Sequence, residues 1–367
     1  MKIETFVLKV SSRCNLNCSY CYMYNKGDRT FESQPKIMSI ETINFISDKI
    51  SLHVKEHNIK TVFIVFHGGE PMLAGKDFFN RAIKIFNDKL NINLKFAIQT
   101  NGVLIDKAWI DLFNDLNINI GISIDGPKKF HDEYRKFHNG KGSYDVIMIN
   151  IHKLKIKSFG FLFVVNPFIP VKELYSFIKD KRIGTLNLLL PDYHYDDLPH
   201  FFNRDVSLSK WLIDFYIIWK NDKERPIIDF FENIIKLLFN RSNGSQILGN
   251  CFNNVVCIET DGAIEVIDSL RTCKSGITRN DLNVKNNRID DIFDLPIYTQ
   301  YYFSHSIVSK KCLECEYLKI CGGGFLPHRY SKKNGFDNPS IYCDDLFQTI
   351  RFIELDVKNE IEKYAND

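Results

Sequence analysis

The sequence predicts an α/β fold built on a parallel sheet, and three observations carry that prediction. Short β-branched and aromatic runs alternate with longer amphipathic stretches from residue 4 to residue 190. The alternation is strand–helix–strand, the pattern of βαβ units rather than hairpins. Near residues 240–250 the character changes: cysteines appear and short strands replace helices. Six strands in the first region suit a six-strand partial barrel open on one side, and a doubly wound open sheet fits the periodicity equally well.

Residues 4–10 (E-T-F-V-L-K-V) read as the first buried strand. The later strands are 61–67 (T-V-F-I-V-F-H), 94–99, 118–124, 160–165 and 185–190. Helices are expected between them at 39–57, with Ser39 as N-cap, and at 76–90, 106–116, 144–157 and 171–181. Two further helices rich in Trp, Phe and Ile fill 206–240, split near Asn221–Pro226, and S-N-G-S follows at 242–245. A short strand at 263–267 and a final helix at 344–364 complete the chain. The expected division is 1–205, a helical bridge at 206–248, a cysteine-rich region at 249–350, and a helix end and tail at 351–367.

The chain has 367 residues and 44% hydrophobic content, enough for a large core. Its 48 basic and 45 acidic residues nearly balance at +3, which argues against nucleic acid as a partner. No apolar run approaches bilayer length and the start M-K-I-E-T-F has no signal-peptide core, so no membrane association and a cytoplasmic location are expected. Ten cysteines then need an explanation other than disulfides. Three lie within 14–21 and seven within 251–343, a clustering that points to metal.

Cys14, Cys18 and Cys21 are spaced C-x3-C-x2-C directly after the first strand. Three thiolates on one loop can hold three irons of a cubane cluster and leave the fourth iron open to a small chelating molecule. A zinc loop is the alternative, although zinc sites favour C-x2-C pairs and four ligands. His67-Gly68-Gly69-Glu70-Pro71 ends the second strand, where glycines let the backbone approach a ligand and a carboxylate can hold an ammonium group. Gln99-Thr100-Asn101-Gly102 ends the third strand, and Ser123-Ile124-Asp125-Gly126 the fourth, leading to Asp132, Arg135 and G-K-G-S at 140–143.

These motifs resemble the radical S-adenosylmethionine (SAM) superfamily, whose fold is a partial (β/α)6 TIM-type barrel. The resemblance implies a [4Fe-4S] cluster on Cys14, Cys18 and Cys21 that binds S-adenosylmethionine. Gly68, Gly69 and Glu70 are then expected at its methionine amino group, Tyr20 at its adenine, Ser123 at its ribose and Arg135 at its carboxylate, with Asn101 alongside. The S-x-D-G-x-x-x-x-H-D-x-x-R pattern resembles the SPASM branch, which adds a C-terminal auxiliary-cluster domain. By that likeness Cys312, Cys315, Cys321 and Cys343 ligate one complete auxiliary [4Fe-4S] cluster. Cys251, Cys257 and Cys273 supply three ligands of a second, because Phe325 stands where the pattern has its last cysteine. A zinc ribbon on the four-cysteine set is the alternative.

The segment Cys321-Gly-Gly-Gly-Phe-Leu-Pro-His-Arg-Tyr resembles the C-G-G-G-x-x-x-H-R-Y element of maturases that form three-residue cyclophanes, and Leu189-Leu190-Pro191-Asp192 with His194 resembles the L-L-P-D-x-x-H element of that group. The resemblance, over about 4–350, implies β-hydrogen abstraction from a precursor peptide and a C–C cross-link to an aromatic ring. Asp192, His194 and His328 are the candidate bases. An electron donor of flavodoxin or ferredoxin type is implied. Only thirteen residues precede Cys14, so leader recognition is expected from the barrel, the 201–250 stretch or a separate leader-binding protein. The rivals are other SPASM chemistry (thioether formation, epimerisation or sulfatase activation) and a non-enzymatic metal or interaction protein.

Overall fold

The structure, a computed structural model, describes residues 1–154, 159–204, 206–241 and 246–366. In chain order the main elements are β1 (Thr5–Ser11), α1 (Ile40–Glu56), β2 (Thr61–Gly68), α2 (Lys76–Lys89), β3 (Asn93–Thr100), α3 (Lys107–Asp115) and β4 (Ile118–Ser123). Then come α4 (Lys128–Tyr134), α5 (Tyr144–Leu154), β5 (Phe159–Val164), α6 (Val171–Asp180) and β6 (Thr185–Leu189). The remainder is α7 (Leu208–Lys220), β7 (Ile227–Ile228), α8 (Asp229–Leu238), β8 (Val255–Ile258), β9 (Ile264–Glu265), α9 (Pro296–Tyr302), α10 (Lys310–Leu313), α11 (Leu318–Cys321) and α12 (Cys343–Asn366). The expected strand–helix alternation is therefore present. The expected extension of α5 over 155–157 and the turn at 242–245 lie outside the described residues.

The chain forms two compact units. The first comprises 1–124, 128–160 and 254–302. Its strands run in the order β4-β3-β2-β1-β8-β9, parallel except for the antiparallel β8–β9 pair. Sequential strands lie side by side without the order reversal that defines a doubly wound sheet, so the winding is that of a barrel. The inward residues Phe6, Leu8, Val62, Ile64 and Phe66 are fully buried, as period-two strands covered by helices require. Ser39 caps α1 by accepting the Thr42 N–H at 3.0 Å. One pairing has no sequence signal: β8 adds parallel to β1, which sets Cys257 opposite Val7.

The second unit comprises 125–127, 161–253 and 303–367. It holds the parallel run β5-β6-β7 and the helices α7, α8 and α12. Trp211, Phe215, Trp219 and Phe231 fill its interior. Asp356 of α12 accepts from Tyr216 of α7 at 2.8 Å. No described helix is long and apolar enough to cross a membrane.

Candidate active site

In the first unit the loop after β1 is held from two sides. The Asn17 N–H donates to the Lys136 carbonyl at 2.7 Å and the Ser19 N–H to the Tyr134 carbonyl at 3.1 Å. Within the loop the Cys21 N–H donates to the Cys18 carbonyl at 3.0 Å, a turn that sets the last two cysteines on one side of the chain. Burial pushes the Cys14 thiol up to about 12, with the Glu70 carboxylate adding to it. Burial and then Cys18 push Cys21 up to about 11. Backbone N–H groups face both sulfurs: Leu16 donates to Cys14 Sγ at 3.4 Å, and Met23 and Tyr24 point at Cys21.

The Gly-Gly-Glu turn after β2 lies directly on this loop. The Gly69 N–H donates to the Ser11 carbonyl at 2.8 Å and the Glu70 N–H to the Arg13 carbonyl at 2.9 Å. Gly68 has φ +144°, and a side chain there would overlap the Ser11 carbonyl oxygen. A side chain on Gly69 would overlap Tyr24 Oη and the Arg13 carbonyl oxygen. Only glycine allows this approach. Glu70 is fully buried, and burial raises its carboxyl above the usual range. Its Oε1 accepts from the Met72 N–H at 3.0 Å and Thr100 Oγ1 at 2.8 Å, and its Oε2 from the Asn101 N–H at 2.9 Å. The carboxylate thus ties the ends of β2 and β3 together. Asn101 Nδ2 then donates to Asn15 Oδ1 at 2.7 Å, beside Cys14.

Arg135 is brought to the same place by the α4–α5 turn. Its Nη1 donates to Tyr20 Oη at 2.6 Å, and its charge lowers both Cys21 and Glu70. Its backbone is pinned by Ser143 Oγ, which donates to the Arg135 carbonyl at 2.9 Å and lies 2.9 Å from His131 Nε2. Burial, then the Arg135 charge, pushes the buried His131 down to about 2, so it is neutral. Gly142 packs where any side chain would overlap the Asp132 carboxylate, which accepts the Tyr144 N–H at 2.9 Å. Ser123 Oγ accepts from Gln99 Nε2 at 3.0 Å. Cys14, Cys18, Cys21, Tyr20, Gly68, Gly69, Glu70, Asn101 and Arg135 therefore converge, and Ser123 ends β4, the strand beside β3.

A second cluster in this unit was not anticipated. Lys9 of β1, fully buried, pairs with Asp268 and lies 3.0 Å from His67 Nδ1. Tyr22 Oη, one residue past Cys21, donates to Asp268 Oδ2 at 2.7 Å. Burial lowers Lys9 to about 8 against the opposing pull of Cys257, Glu259 and Cys21. The signal was a lysine inside the apolar run F-V-L-K-V; Asp268 offered none, being distant in sequence. Cys257 itself is fully buried and pushed up to about 12 by burial, and Cys273 is buried nearby in sequence on the 268–273 turn.

The second unit holds Cys251 and the four-cysteine set. Cys312, Cys315, Cys321 and Cys343 line one cavity of about 340 Å³, with Tyr317 and Phe347 among its walls. Burial, then Cys343 and Cys312, push Cys321 up to about 12. Gly322, Gly323 and Gly324 all have positive φ, and side chains there would press on the Gly249 carbonyl, Val308 and Ser340. Arg329 is buried and donates to four carbonyls, those of Ser304, Ile307, Phe336 and Asn338, at 2.6–3.2 Å. The 189–195 and 328–342 segments lie together. Tyr342 Oη donates to the Pro191 carbonyl at 2.9 Å, and Asp192 Oδ1 is 3.8 Å from His328 Nε2. Burial takes His328 down to about 3, and His194 Nδ1 accepts the Asp196 N–H at 3.2 Å. Asp192, His194 and His328 are therefore neighbours in a folded corner.

Residues 8–178 match the sequence profile of the Radical SAM superfamily. An uncharacterized protein of Methanocaldococcus jannaschii, MJ0907, is 31% identical over 233 residues, 61% of this chain and 76% of that one. This chain belongs to the radical SAM superfamily. A cysteine-type anaerobic sulfatase-maturating enzyme of Clostridium perfringens is 26% identical over 354 residues, 93% of each chain. The solved structure of anSMEcpe with bound AdoMet and Cp18Cys peptide superposes with a TM-score of 0.79 at 24% identity, over 97% of this chain and 99% of that one.

The residues fit the cluster that a radical SAM protein carries. Cys14 and Cys21 are half-buried thiols that their surroundings hold protonated, and the positive charge of iron would supply what makes them thiolates. The N–H groups already aimed at sulfur are those that tune cluster ligands.

Proposed function

We propose that this chain matures a peptide or protein by removing hydrogen from a side-chain β-carbon, in the manner of a sulfatase-maturating radical SAM enzyme. The observation that carries this reading is the likeness to the C. perfringens enzyme across 93% of both chains. In this reading Cys14, Cys18 and Cys21 hold the [4Fe-4S] cluster. Gly68, Gly69, Glu70, Asn101, Ser123, Arg135 and Tyr20 form the S-adenosylmethionine site. When bound, the two supply a 5′-deoxyadenosyl radical that takes the hydrogen atom. Arg135 offers a bidentate fork for a carboxylate.

The substrate radical must then lose one electron and one proton. Asp268 is the base we assign: it is a nearly buried carboxylate, hydrogen-bonded to Tyr22 beside Cys21 and paired with Lys9. A serine side chain would become an aldehyde; a cysteine would become a thioaldehyde, which water converts to the aldehyde with release of hydrogen sulfide. Cys312, Cys315, Cys321 and Cys343 are the proposed ligands of an auxiliary [4Fe-4S] cluster, a group that would supply a one-electron acceptor. A flavodoxin or ferredoxin is the proposed external donor.

A cross-linking outcome of cyclophane type is the second reading. It is favoured by Phe325 in place of a cysteine and by the packing of the 189–194 segment beside H-R-Y. Product analysis separates the two. Anaerobically reconstituted protein with dithionite, S-adenosylmethionine and cysteine- or serine-containing peptides should give a hydrazide-reactive aldehyde. A product two hydrogens lighter that ignores hydrazide and joins an aromatic ring to a β-carbon establishes the second reading. Unchanged 5′-deoxyadenosine from the combined Cys14→Ala, Cys18→Ala and Cys21→Ala variant overturns both.

A further inference from the structure

We propose that His53, His57 and Asp290 form a binding site for a divalent transition metal of the zinc class at the C-terminal end of α1. Among the described residues they are the group whose imidazole and carboxylate ligand atoms all lie within 4.8 Å of one another. His53 and His57 stand one turn apart on the same helical face. Asp290 arrives from the 289–294 turn, with Oδ2 at 2.9 Å from His53 Nδ1 and Oδ1 at 2.5 Å from His57 Nε2. Tetrahedral bonds of about 2.0–2.1 Å set ligand atoms roughly 3.3 Å apart. One ligand atom from each residue, all within 4.8 Å of one another, therefore needs shifts of no more than about 1.5 Å to reach that spacing, along side chains of which two are partly exposed.

Four features of the surroundings suit a cation. His53 Nε2 faces both the Ile3 N–H at 3.0 Å and the Ile3 carbonyl at 3.1 Å. The ring can therefore accept from the amide when Nδ1 carries the proton, or donate to the carbonyl when Nδ1 binds metal. A carbonyl behind the distal nitrogen is the usual outer partner of a metal-bound histidine. His57 is the C-cap of α1, where the helix presents unpaired carbonyls and the negative end of its dipole. The Phe293 ring stands 6.3 Å from both imidazoles and limits water on that side. The nearby cation, Arg288, is 3.9 Å from Asp290 and is drawn off by an ion pair with Glu56. Two imidazoles, one carboxylate and a water complete a zinc-type set, and binding releases the proton that His53 Nδ1 shares with Asp290.

The test uses the full chain with its iron–sulfur sites reconstituted, so that thiols do not compete, dialysed anaerobically against zinc sulfate. One zinc per chain should remain, with X-ray absorption showing nitrogen and oxygen neighbours and no sulfur. His57→Ala and Asp290→Asn, both at partly exposed positions, should each weaken zinc binding roughly 100-fold or more while iron content and circular dichroism stay unchanged. Sulfur in the zinc shell, wild-type affinity in both variants, or no zinc retained by the parent protein overturns the site.

Discussion

Replacing Gly69 by alanine tests the contact on which the candidate site rests. The added methyl would sit 2.6 Å from the Arg13 carbonyl carbon, where about 3.5 Å is a normal separation. It would also overlap Tyr24 Oη and the Arg13 oxygen. The tyrosine can swing away; the Arg13 backbone cannot, because its carbonyl accepts the Glu70 N–H. Relief therefore means pulling the Gly-Gly-Glu turn off the cysteine loop. That breaks the bonds to Ser11 and Arg13, about 1 kcal/mol each, and adds an overpacking cost of about 1–3 kcal/mol. The sum, about 3–5 kcal/mol, is local to the turn. S-adenosylmethionine affinity should fall by roughly 100-fold or more, since each 1.4 kcal/mol is tenfold. The assay is anaerobic calorimetric titration of the reconstituted protein, with iron content measured alongside. Gly160→Ala is the control, because a methyl there meets nothing within 4 Å. Affinity within about threefold of the parent in Gly69→Ala would refute the claim that turn and loop must touch.

Asp268→Asn should slow product formation by about 10²–10⁴-fold while 5′-deoxyadenosine is still made, so the ratio of the two rises; an unchanged ratio removes Asp268 as base. His131 is neutral in the folded chain and titrates near its ordinary value when unfolded, so the unfolded state takes up the proton first as pH falls. Its contribution is full above about pH 6.5 and should decline by about 2 kcal/mol between pH 7 and 5 in anaerobic urea melts. His131→Asn should flatten that slope, and an identical slope in the variant would show the ring is not buried as described. Arg329→Met strands four carbonyls and should cost about 3–5 kcal/mol, read as iron lost from the four-cysteine cavity in a chain already lacking Cys14, Cys18 and Cys21. Full iron retention there would mean the glycine-rich turn holds without its arginine.

The strands and helices were legible because their signals are local: F-V-L-K-V is a short apolar run, and Ser39 caps by its own side chain. The cysteine spacing and the Gly-Gly-Glu turn were legible as motifs, but the reason for them was not. That Glu70 spends its carboxylate on three donors at the ends of β2 and β3 depends on which strands are neighbours, a long-range fact. The same holds for β8, whose place beside β1 no residue between 11 and 254 announces. Asp268 went unseen because an aspartate in a polar turn looks like a turn former until Lys9 and Tyr22 are found at it. His328 and Arg329 were readable as unusual, yet the arginine's task is to collect carbonyls, and the histidine is neutral and deeply buried.

The buried cations explain how one loop can hold several thiols. A buried positive charge is costly unless something negative answers it. Arg271 is answered by Glu259 and Glu265 at 2.7 Å each, and its charge still lowers the Cys257 thiol. Lys9 is answered by Asp268 but still feels Cys21 and Cys257, the thiols of the first loop and of β8. Arg135 faces Cys21 and Glu70. Burial alone would leave these thiols protonated and unfit as ligands, and these cations oppose burial at the sulfurs nearest them. The pull is incomplete: Cys21 remains near 11 and Cys257 near 12, values at which neither ionises by itself at neutral pH. Iron must supply the rest, so cluster assembly should release protons and should slow as pH falls. Neutralising Arg135 as Arg135→Gln should therefore slow iron loading on the first loop at fixed pH, measured by the rise of visible absorbance during anaerobic reconstitution. Loading at the parent rate would mean that the arginine serves only the carboxylate of the bound cofactor.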